Sequence, residues 1–393
     1  LLTIHKGDRE ALLRLAEIDI SRKNDARAEE KIKGILAVNK NDAQAHFLQG
    51  TIHRRRQEYD KAMAEFESAI KLDGSLSRAY LEKANLLLMR GDLDASESAL
   101  KEAMRRNSGF VPARGAYAKL LAMRNRPQEA LKMADDVLTV MPNNEDAIGA
   151  RAEALRSSGK WAESKKEWLR LCQMQPQNAQ YWHRLGTVET MQADYASAMN
   201  RFRKAVEINP GFVMAINDIL YLHLRDRKFD AALAELDSLE KKSTPKDEIH
   251  RLRGQVLASK GDLAAAEAEF RKAIQVNPGN SQSYILLGNI HAGRNNLPQA
   301  IREVDQLIAR NDKLPSAFLL KAHYLQLSKD TAGAIENYRK ALKLDPDNTT
   351  ANNNLAWLLS ESGTGLEEAL NLARAARRKD PDNPEIADTL GWV

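Results

Sequence analysis

The sequence predicts an all-α solenoid, in which a chain of 393 residues folds into a row of similar helical hairpins. Three observations lead to this prediction. Small residues recur at a constant interval, apolar residues within each interval follow helical spacing, and turn-forming residues separate the helical stretches. A single hairpin of this size cannot bury its own apolar faces, so neighbouring hairpins must stack.

The repeat is clearest in three stretches that begin at Gly50, Gly186 and Gly254 and continue, twelve positions later, with Ala-x3-Phe-x2-Ala. Steps of 34 positions meet eleven places, ten of which hold Gly or Ala: Ala16, Gly50, Ala84, Ala118, Ala152, Gly186, Leu220, Gly254, Gly288, Ala322 and Ala356. The small residue twelve places further on keeps this interval until Ala369, which comes one place late. We therefore predict a single inserted residue within residues 361–366.

Each repeat is predicted to contain two helices joined by a tight turn. Tyr80, Ala84 and Leu87 show the helical spacing of a first helix, and Leu93 and Leu100 that of a second. Residues that tolerate left-handed backbone stand between the helices: Gly91, Asn125, Gly159, Gly261 and Asn295. Proline follows several second helices, which it cannot continue: Pro142, Pro176, Pro210, Pro278, Pro346 and Pro381.

This register makes residues 1–393 one solenoid. Residues 1–8 are the tail of an earlier repeat, residues 9–383 hold eleven repeats, and residues 384–393 open a twelfth. The repeats begin near residues 9, 43, 77, 111, 145, 179, 213, 247, 281, 315 and 349. No polar capping helix is visible at either end, so we expect a longer natural protein. We also expect fraying or self-association near residues 1–15 or 387–393, where apolar surface lacks a neighbour.

The chain resembles the tetratricopeptide-repeat (TPR) family over essentially its whole length. The family pattern is an aromatic residue and Leu-Gly in the first helix, Ala-x3-Phe-x2-Ala in the second, and Pro after it. One repeat matches it nearly completely, with Trp182, Leu185, Gly186, Tyr195, Ala198, Phe202, Ala205 and Pro210. The 34-residue period separates the chain from the 35-residue pentatricopeptide relatives. The resemblance implies a right-handed superhelix whose first helices line a concave groove for a partner polypeptide.

Composition and motifs argue against an enzyme, a metal site or a cofactor site within these residues. The only cysteine is Cys172, which excludes disulfides and cysteine-based zinc sites. Gly159-Lys160 is not a phosphate-binding loop, because Trp161 follows where Ser or Thr is needed. No apolar run reaches the length of about 18 residues that a membrane-spanning helix needs, so no transmembrane segment is predicted. The net charge of +5 is only weak support for an anionic partner.

The repeat register assigns most of the potentially reactive side chains to helix packing. Cys172 occupies a core position and is predicted to be a buried, inert thiol. Five histidines replace bulky packing residues: His46, His53, His223, His250 and His291. His183 and His323 fall on the groove face, where they either contact a ligand or are solvated.

The resemblance also transfers the contact positions of the family groove onto this chain. Several are Met, Leu or aromatic residues, which suit an adaptable surface for an apolar helix or extended segment. The alternative is that successive repeats bury them against each other. The implied groove residues are Leu81, Asn85, Leu88, Met89, Lys119, Met123, His183, Thr187, Met191, Met214, Asn217, Tyr221, Leu224, Asn353 and Trp357.

Other ligands of TPR proteins are disfavoured. The carboxylate clamp for chaperone C-termini needs Lys where Leu81 and Ile285 stand, although Asn85 and Asn289 are in phase. The asparagine ladder of the sugar-transferase relatives is replaced by Leu48, Glu82, Ala116, Ala150 and Arg184. The basic run at residues 54–56 does not recur in neighbouring repeats, as a nucleic-acid surface would require.

Two functional hypotheses stay open at this stage. The first is a non-enzymatic scaffold for a partner protein, resembling long bacterial TPR proteins of exopolysaccharide export and protein sorting. It rests on array length and on the phrase at residues 380–393, and it favours the periplasm or cell envelope while leaving the cytoplasm open. The second is the regulatory or substrate-recruiting arm of an enzyme, such as a glycosyltransferase or protease, with a catalytic domain outside this chain.

The seventh repeat departs from the pattern. Leu220 replaces the small residue of the first helix, Leu239 replaces Ala, and Pro245 comes one place late. Overpacking at a close helix contact forces the helices apart. We therefore predict a wider helix pair and an altered superhelical step around residues 213–250.

Overall fold

The computed structural model describes residues 8–242 and 245–393, which form twenty-three α-helices joined by short turns and contain no strand. This confirms the predicted all-α fold of repeated helical hairpins. The chain divides into two compact units, the first ending at Ile208 and the second beginning at Asn209. Leu1 and Leu2, predicted to end an earlier repeat, lie outside the described residues, and self-association through the ends stays a prediction.

The first unit contains six hairpins, each a first helix followed by a second. The helices are α1 Arg9–Ser21, α2 Asp25–Val38, α3 Ala43–Arg55, α4 Tyr59–Leu72, α5 Ser77–Met89, α6 Leu93–Arg106, α7 Val111–Met123, α8 Pro127–Val140, α9 Glu145–Ser157, α10 Trp161–Met174, α11 Ala179–Met191 and α12 Tyr195–Ile208. Each odd-numbered helix of this unit begins 34 positions after the previous one. The interval seen in the sequence is therefore the length of one hairpin.

The second unit contains five hairpins and one further helix. The helices are α13 Val213–Arg225, α14 Phe229–Glu240, α15 Lys246–Lys260, α16 Leu263–Val276, α17 Ser281–Gly293, α18 Leu297–Arg310, α19 Pro315–Leu327, α20 Thr331–Leu344, α21 Thr349–Glu361, α22 Leu366–Lys379 and α23 Pro384–Trp392. Asparagine side chains cap several first helices. Asn348, for example, accepts a hydrogen bond from the Ala351 N–H at 3.0 Å.

Every hairpin turn is closed by one residue with left-handed backbone. The following residue then donates its N–H to a carbonyl five positions back, as Asp92 does to Leu87 at 3.0 Å. The left-handed residues recur every 34 positions: Lys23, Gln57, Gly91, Asn125, Gly159, Ala193, Arg227, Gly261, Asn295, Lys329 and Gly363. All five predicted turn residues are among them. Five of the others are not glycine, and they show that the turn is kept even where the side chain makes it costly.

The turn between α21 and α22 contains four residues where most hairpin turns contain three, as the sequence predicts. Gly363 takes the usual left-handed place with φ 64°, and Thr364 and Gly365 follow it. Gly365 is also left-handed, with φ 66°, and directly precedes α22. Glycine at both places lets the chain absorb the insertion without displacing either helix.

Close approach within a hairpin depends on a small residue in the first helix. A Cβ atom added to Gly50, Gly186 or Gly254 would lie within 2.8 Å of the ring of Phe66, Phe202 or Phe270, respectively. The absent side chain leaves room for the aromatic ring of the second helix. At Ala84, which occupies the glycine position of its hairpin, the second helix carries the smaller Leu100 at the place of the phenylalanine. In the Gly–Phe hairpins the two positions therefore share one volume between them.

The seventh hairpin is the exception, as predicted. Leu220 and Leu236 occupy the paired positions, and both are buried. Two large side chains cannot share the space that Gly and Phe fill elsewhere, and α13 and α14 are the most loosely packed of the eleven hairpins. Helix α14 is also short, with twelve residues. The altered superhelical step stays a prediction.

The turn geometry predicts opposite effects for one substitution at two neighbouring sites. Ala193 has φ 59°, so Ala193→Gly relieves backbone strain and is expected to stabilise the sixth hairpin by roughly 0.5–1 kcal/mol. Ala196 is exposed within α12, so Ala196→Gly is expected to destabilise it by about the same amount. Amide exchange in α11 and α12 measures both changes. Shifts in the same direction would contradict this account of the turn.

The shared volume within a hairpin predicts energetic coupling between its two positions. Gly254→Ala places a Cβ 2.5 Å from the Phe270 ring and is expected to cost about 1–3 kcal/mol. In combination with Phe270→Leu the cost should be smaller than the sum of the two single effects, because the leucine leaves room for the methyl group. Denaturant unfolding of the four proteins in this cycle gives the coupling. Strict additivity would rule out a shared volume.

Candidate functional site

The first unit contains an open, concave pocket of about 690 Å³. Its walls are formed mainly by the first helices of four successive hairpins, α5, α7, α9 and α11, with Trp168 contributed by α10. Four of the residues predicted from the sequence to line a groove lie in its wall: Leu88, Met89, Lys119 and Met123.

Small residues shape the middle of this pocket. Helices α7 and α9 pack more closely than any other successive first helices of the unit. Gly115 permits this approach, because a Cβ there would lie 2.7 Å from Oδ1 of Asn144. That same oxygen caps α9 by accepting the Ala147 N–H at 2.9 Å. Gly149 and Ala150 also line the pocket, and their short side chains leave space open above the helix.

One side of the pocket presents flexible apolar side chains. Met89 is 62% exposed and Met123 is 52% exposed, while Leu88 is half-buried. Both methionines belong to the last turn of their helices. Unbranched thioethers adapt to differently shaped apolar groups, so this side can pack against an apolar segment of a ligand.

The charged residues of the pocket are largely paired with one another. Nζ of Lys119 lies 3.0 Å from Oδ1 of Asp146, and Arg156 forms an ion pair with Glu153. The Tyr181 hydroxyl donates to Oε2 of Glu145 at 3.0 Å. Burial raises the pKa of Tyr181, and this hydrogen bond adds to the shift, so the phenol stays a donor at neutral pH.

Sequence reasoning missed several residues of this pocket. Arg156 and Tyr181 lie on first helices but were not among the contact positions taken from the family. Arg184 was noticed only as a departure from the asparagine ladder, yet it lines the pocket. Trp168 stands at the phenylalanine position of the second helix, which indicates core, and only the folded chain shows that it reaches the pocket.

The remaining predicted groove residues of the first unit lie outside this pocket. Leu81 and Asn85 are half-buried on α5, and Thr187 donates its hydroxyl proton to the His183 carbonyl oxygen at 3.0 Å. Met191 is 39% exposed, with its sulfur 4.0 Å from Nη1 of Arg156. His183 was expected to contact a ligand or be solvated, but it is buried, with its ring 5.6 Å from that of Phe202.

The other predicted groove residues belong to the second unit. Met214, Asn217 and Tyr221 are exposed on α13, where Leu224 is half-buried. On α21, Trp357 is 36% exposed, and half-buried Asn353 donates to the Asn354 side-chain oxygen at 3.5 Å. Their role as contact residues stays a prediction.

The histidines that the sequence assigns to helix packing are buried or half-buried, and each lies near a glutamate. These contacts are His46 with Glu65, His53 with Glu58, His223 with Glu235, His250 with Glu269, and His291 with Glu267 and Glu303. His323, by contrast, is exposed. Across the described ranges no cluster of three His, Cys, Asp or Glu residues could hold a metal ion.

Cys172 and the basic run at residues 54–56 are also accounted for by contacts within the fold. Cys172 is buried, and burial raises the pKa of its thiol to about 12, so the thiol is unreactive in the folded state. The arginines of the basic run all form ion pairs, Arg54 with Glu82, Arg55 with Asp25 and Arg56 with Glu29. Among the helices of the described chain, none is both long and apolar enough to cross a bilayer.

Helical hairpins at a nearly constant interval of 34 positions, with a pocket lined by first helices, define a class of helical-repeat proteins. The chain belongs to the tetratricopeptide-repeat family. One family model described as "Tetratricopeptide repeat" matches residues 13–76, 81–143, 150–211 and 218–281, and a second with the same description matches residues 257–324 and 325–392. Proteins of this family are generally non-catalytic scaffolds for protein–protein interaction.

Individual relatives are distant. The chain is 25% identical to "Protein CTR9 homolog" of Arabidopsis thaliana over 90% of its own length, and 20% identical to "Protein O-mannosyl-transferase TMTC3" of Homo sapiens over 83%. It spans only 34% and 38% of the lengths of these two proteins. Among solved structures, the human IFIT1 dimer with PPP-AAAA has a TM-score of 0.53 and 18% identity, covering 85% of this chain and 84% of that one. That likeness is one of fold.

The His46–Glu65 contact predicts a pH-dependent stability. Burial lowers the pKa of His46, but hydrogen bonds to Glu65 at 2.6 Å and to the Lys40 carbonyl oxygen at 3.0 Å outweigh it, and the pKa is raised. The charged ring therefore stabilises the fold below its unfolded pKa of about 6.5, and this stabilisation is lost as pH rises through the folded pKa.

We expect His46→Gln to destabilise the second hairpin more at pH 5.5 than at pH 8.5. Amide exchange in α3 and α4, corrected for the intrinsic pH dependence of exchange, measures the difference. The same substitution at His323, an exposed residue of α19, is the control. An equal loss at the two pH values would show that the ring contributes by packing and not by charge.

Proposed function

We propose that this chain is a non-enzymatic scaffold that binds a partner polypeptide across its first helices, with the pocket of the first unit as one contact region. The observation that carries the proposal is the composition of that pocket. Exposed methionines lie beside paired charges and a polar helix wall, which suits a peptide with alternating apolar and polar groups. We extend the proposal to a single solenoid of eleven repeats over residues 9–383.

The chemistry of the pocket supports a polypeptide over a sugar or a nucleic acid. Carbohydrate binding commonly uses exposed aromatic faces, but Trp168 is only 6% exposed and Tyr181 is half-buried. A phosphate backbone requires unpaired cations repeated along a surface, whereas Lys119 and Arg156 are engaged by carboxylates. Of these three ligand classes, a polypeptide has the apolar and hydrogen-bonding groups that fit the lining of the pocket.

A narrower role in bacterial exopolysaccharide export or envelope assembly rests on the resemblance at residues 380–393 alone. The two curated relatives described above carry no name that points to it. The alternative is that the chain is the recruiting arm of an enzyme. Similarity to a protein named as a mannosyl-transferase supports this alternative. It ranks second because the described residues supply no observation of catalysis.

The test is selection of a displayed random peptide library on the full chain, followed by titration of an enriched peptide. The joint change Met89→Ala and Met123→Ala should weaken binding at least about tenfold, because each buried apolar side chain contributes roughly 1.5–3 kcal/mol. The matched control is Val38→Ala with Val140→Ala, which truncates two exposed apolar residues of second helices. Failure to enrich any peptide, or equal weakening by both pairs, would overturn the proposal.

A further inference from the structure

Arg184 of α11 is the cation of the pocket that has no partner. It is half-buried in the pocket wall, and within residues 8–242 and 245–393 no carboxylate or other acceptor engages its guanidinium. The other two cations of the same wall are engaged, Lys119 by Asp146 and Arg156 by Glu153. A partly buried arginine that has no acceptor within the protein can form a charge-assisted hydrogen bond with an acceptor that a ligand supplies.

Aromatic rings form the pocket wall beside Arg184. Trp168 is 6% exposed, and its indole N–H is buried out of reach of a ligand in the pocket. Its ring centroid lies 6.1 Å from that of Tyr181, and Tyr181 precedes Arg184 by one helical turn on α11. Arg184 therefore presents a donor without an acceptor at an end of the pocket that is otherwise aromatic.

The acidic residues of the pocket leave the positive charge of Arg184 unneutralised by direct contact. Asp146 and Glu153 form their ion pairs with the other two cations. Glu145 accepts hydrogen bonds from the Tyr181 hydroxyl at 3.0 Å and from the Gln175 amide at 2.6 Å. A ligand that enters here therefore finds each of these carboxylates engaged and the guanidinium of Arg184 free.

We propose that Arg184 forms a subsite for an acidic side chain, Asp or Glu, within the bound polypeptide. This inference rests on the proposed function and adds a chemical requirement to it. The apolar residues of the same segment contact Met89 and Met123 at the other side of the pocket. The pocket is open, so the peptide continues past the subsite and offers a side chain. The subsite is distinct from the chaperone clamp, whose lysine position holds Leu81.

The experiment uses the full chain and random twelve-residue peptides displayed without a free C-terminus. Enriched sequences should carry Asp or Glu at a fixed distance from an apolar residue. A synthetic, C-terminally amidated peptide should lose about tenfold in affinity when that acid is replaced by its amide. Because this comparison changes only the peptide, it does not depend on the folding of any protein variant.

Protein variants then locate the subsite. Arg184→Gln should weaken the acidic peptide about tenfold and leave the amide analogue unchanged, so the two changes are not additive. Arg27→Gln is the control, because Arg27 is exposed on α2 and its loss changes the net charge equally.

The outcomes separate this inference from the proposed function. Peptides that lack an acid, bind wild type and Arg184→Gln equally, and still depend on Met89 and Met123 would overturn the subsite and keep the scaffold. An enriched acidic peptide that keeps its affinity when the acid is replaced by its amide would overturn the side-chain assignment. Enrichment of no peptide at all would overturn both proposals.

Discussion

The close approach of the two helices of a hairpin rests on one packing constraint, which is that a small residue of the first helix leaves the volume that a large side chain of the second helix fills. Gly254 yields that volume to Phe270, and Ala84 faces a second helix that carries Leu100 at the same place. Once this contact is satisfied, each hairpin has nearly the same length, and the first helices follow one another at a nearly constant interval. The surface formed by successive first helices, which includes the pocket, follows from this constant spacing of the hairpins.

The same constraint explains where the fold is irregular. Leu220 and Leu236 together exceed the shared volume, and α13 and α14 respond by packing loosely. Between α7 and α9 the opposite holds, since Gly115 lets the first helices approach more closely than elsewhere in the unit. Side chains that are too large move neighbouring helices apart, and glycine lets them come closer. Neither changes the number or the order of the helices.

The sequence predicts the fold well because the determining residues are periodic. The turn glycines, the small helix positions and the inserted residue before Leu366 all follow from counting, and the structure agrees. Individual side-chain environments are less accessible, since periodicity gives the phase of a residue but not its neighbours. His183 shares the phase of a groove residue yet is buried against Phe202. Trp168 shares the phase of a core residue yet lines the pocket, because Gly149 and Ala150 leave space beside it.

The burial of Cys172 has a practical consequence for following motion in this protein. The chain has a single thiol, and it is enclosed by the fifth hairpin and its neighbours, with its ionisation suppressed. Its rate of alkylation therefore reports one local event, the opening of α10, free of signals from other sites. Trp168, which lines the pocket, is one turn earlier on that helix. Comparing the alkylation rate with and without peptide therefore measures how much binding in the pocket suppresses the opening of α10.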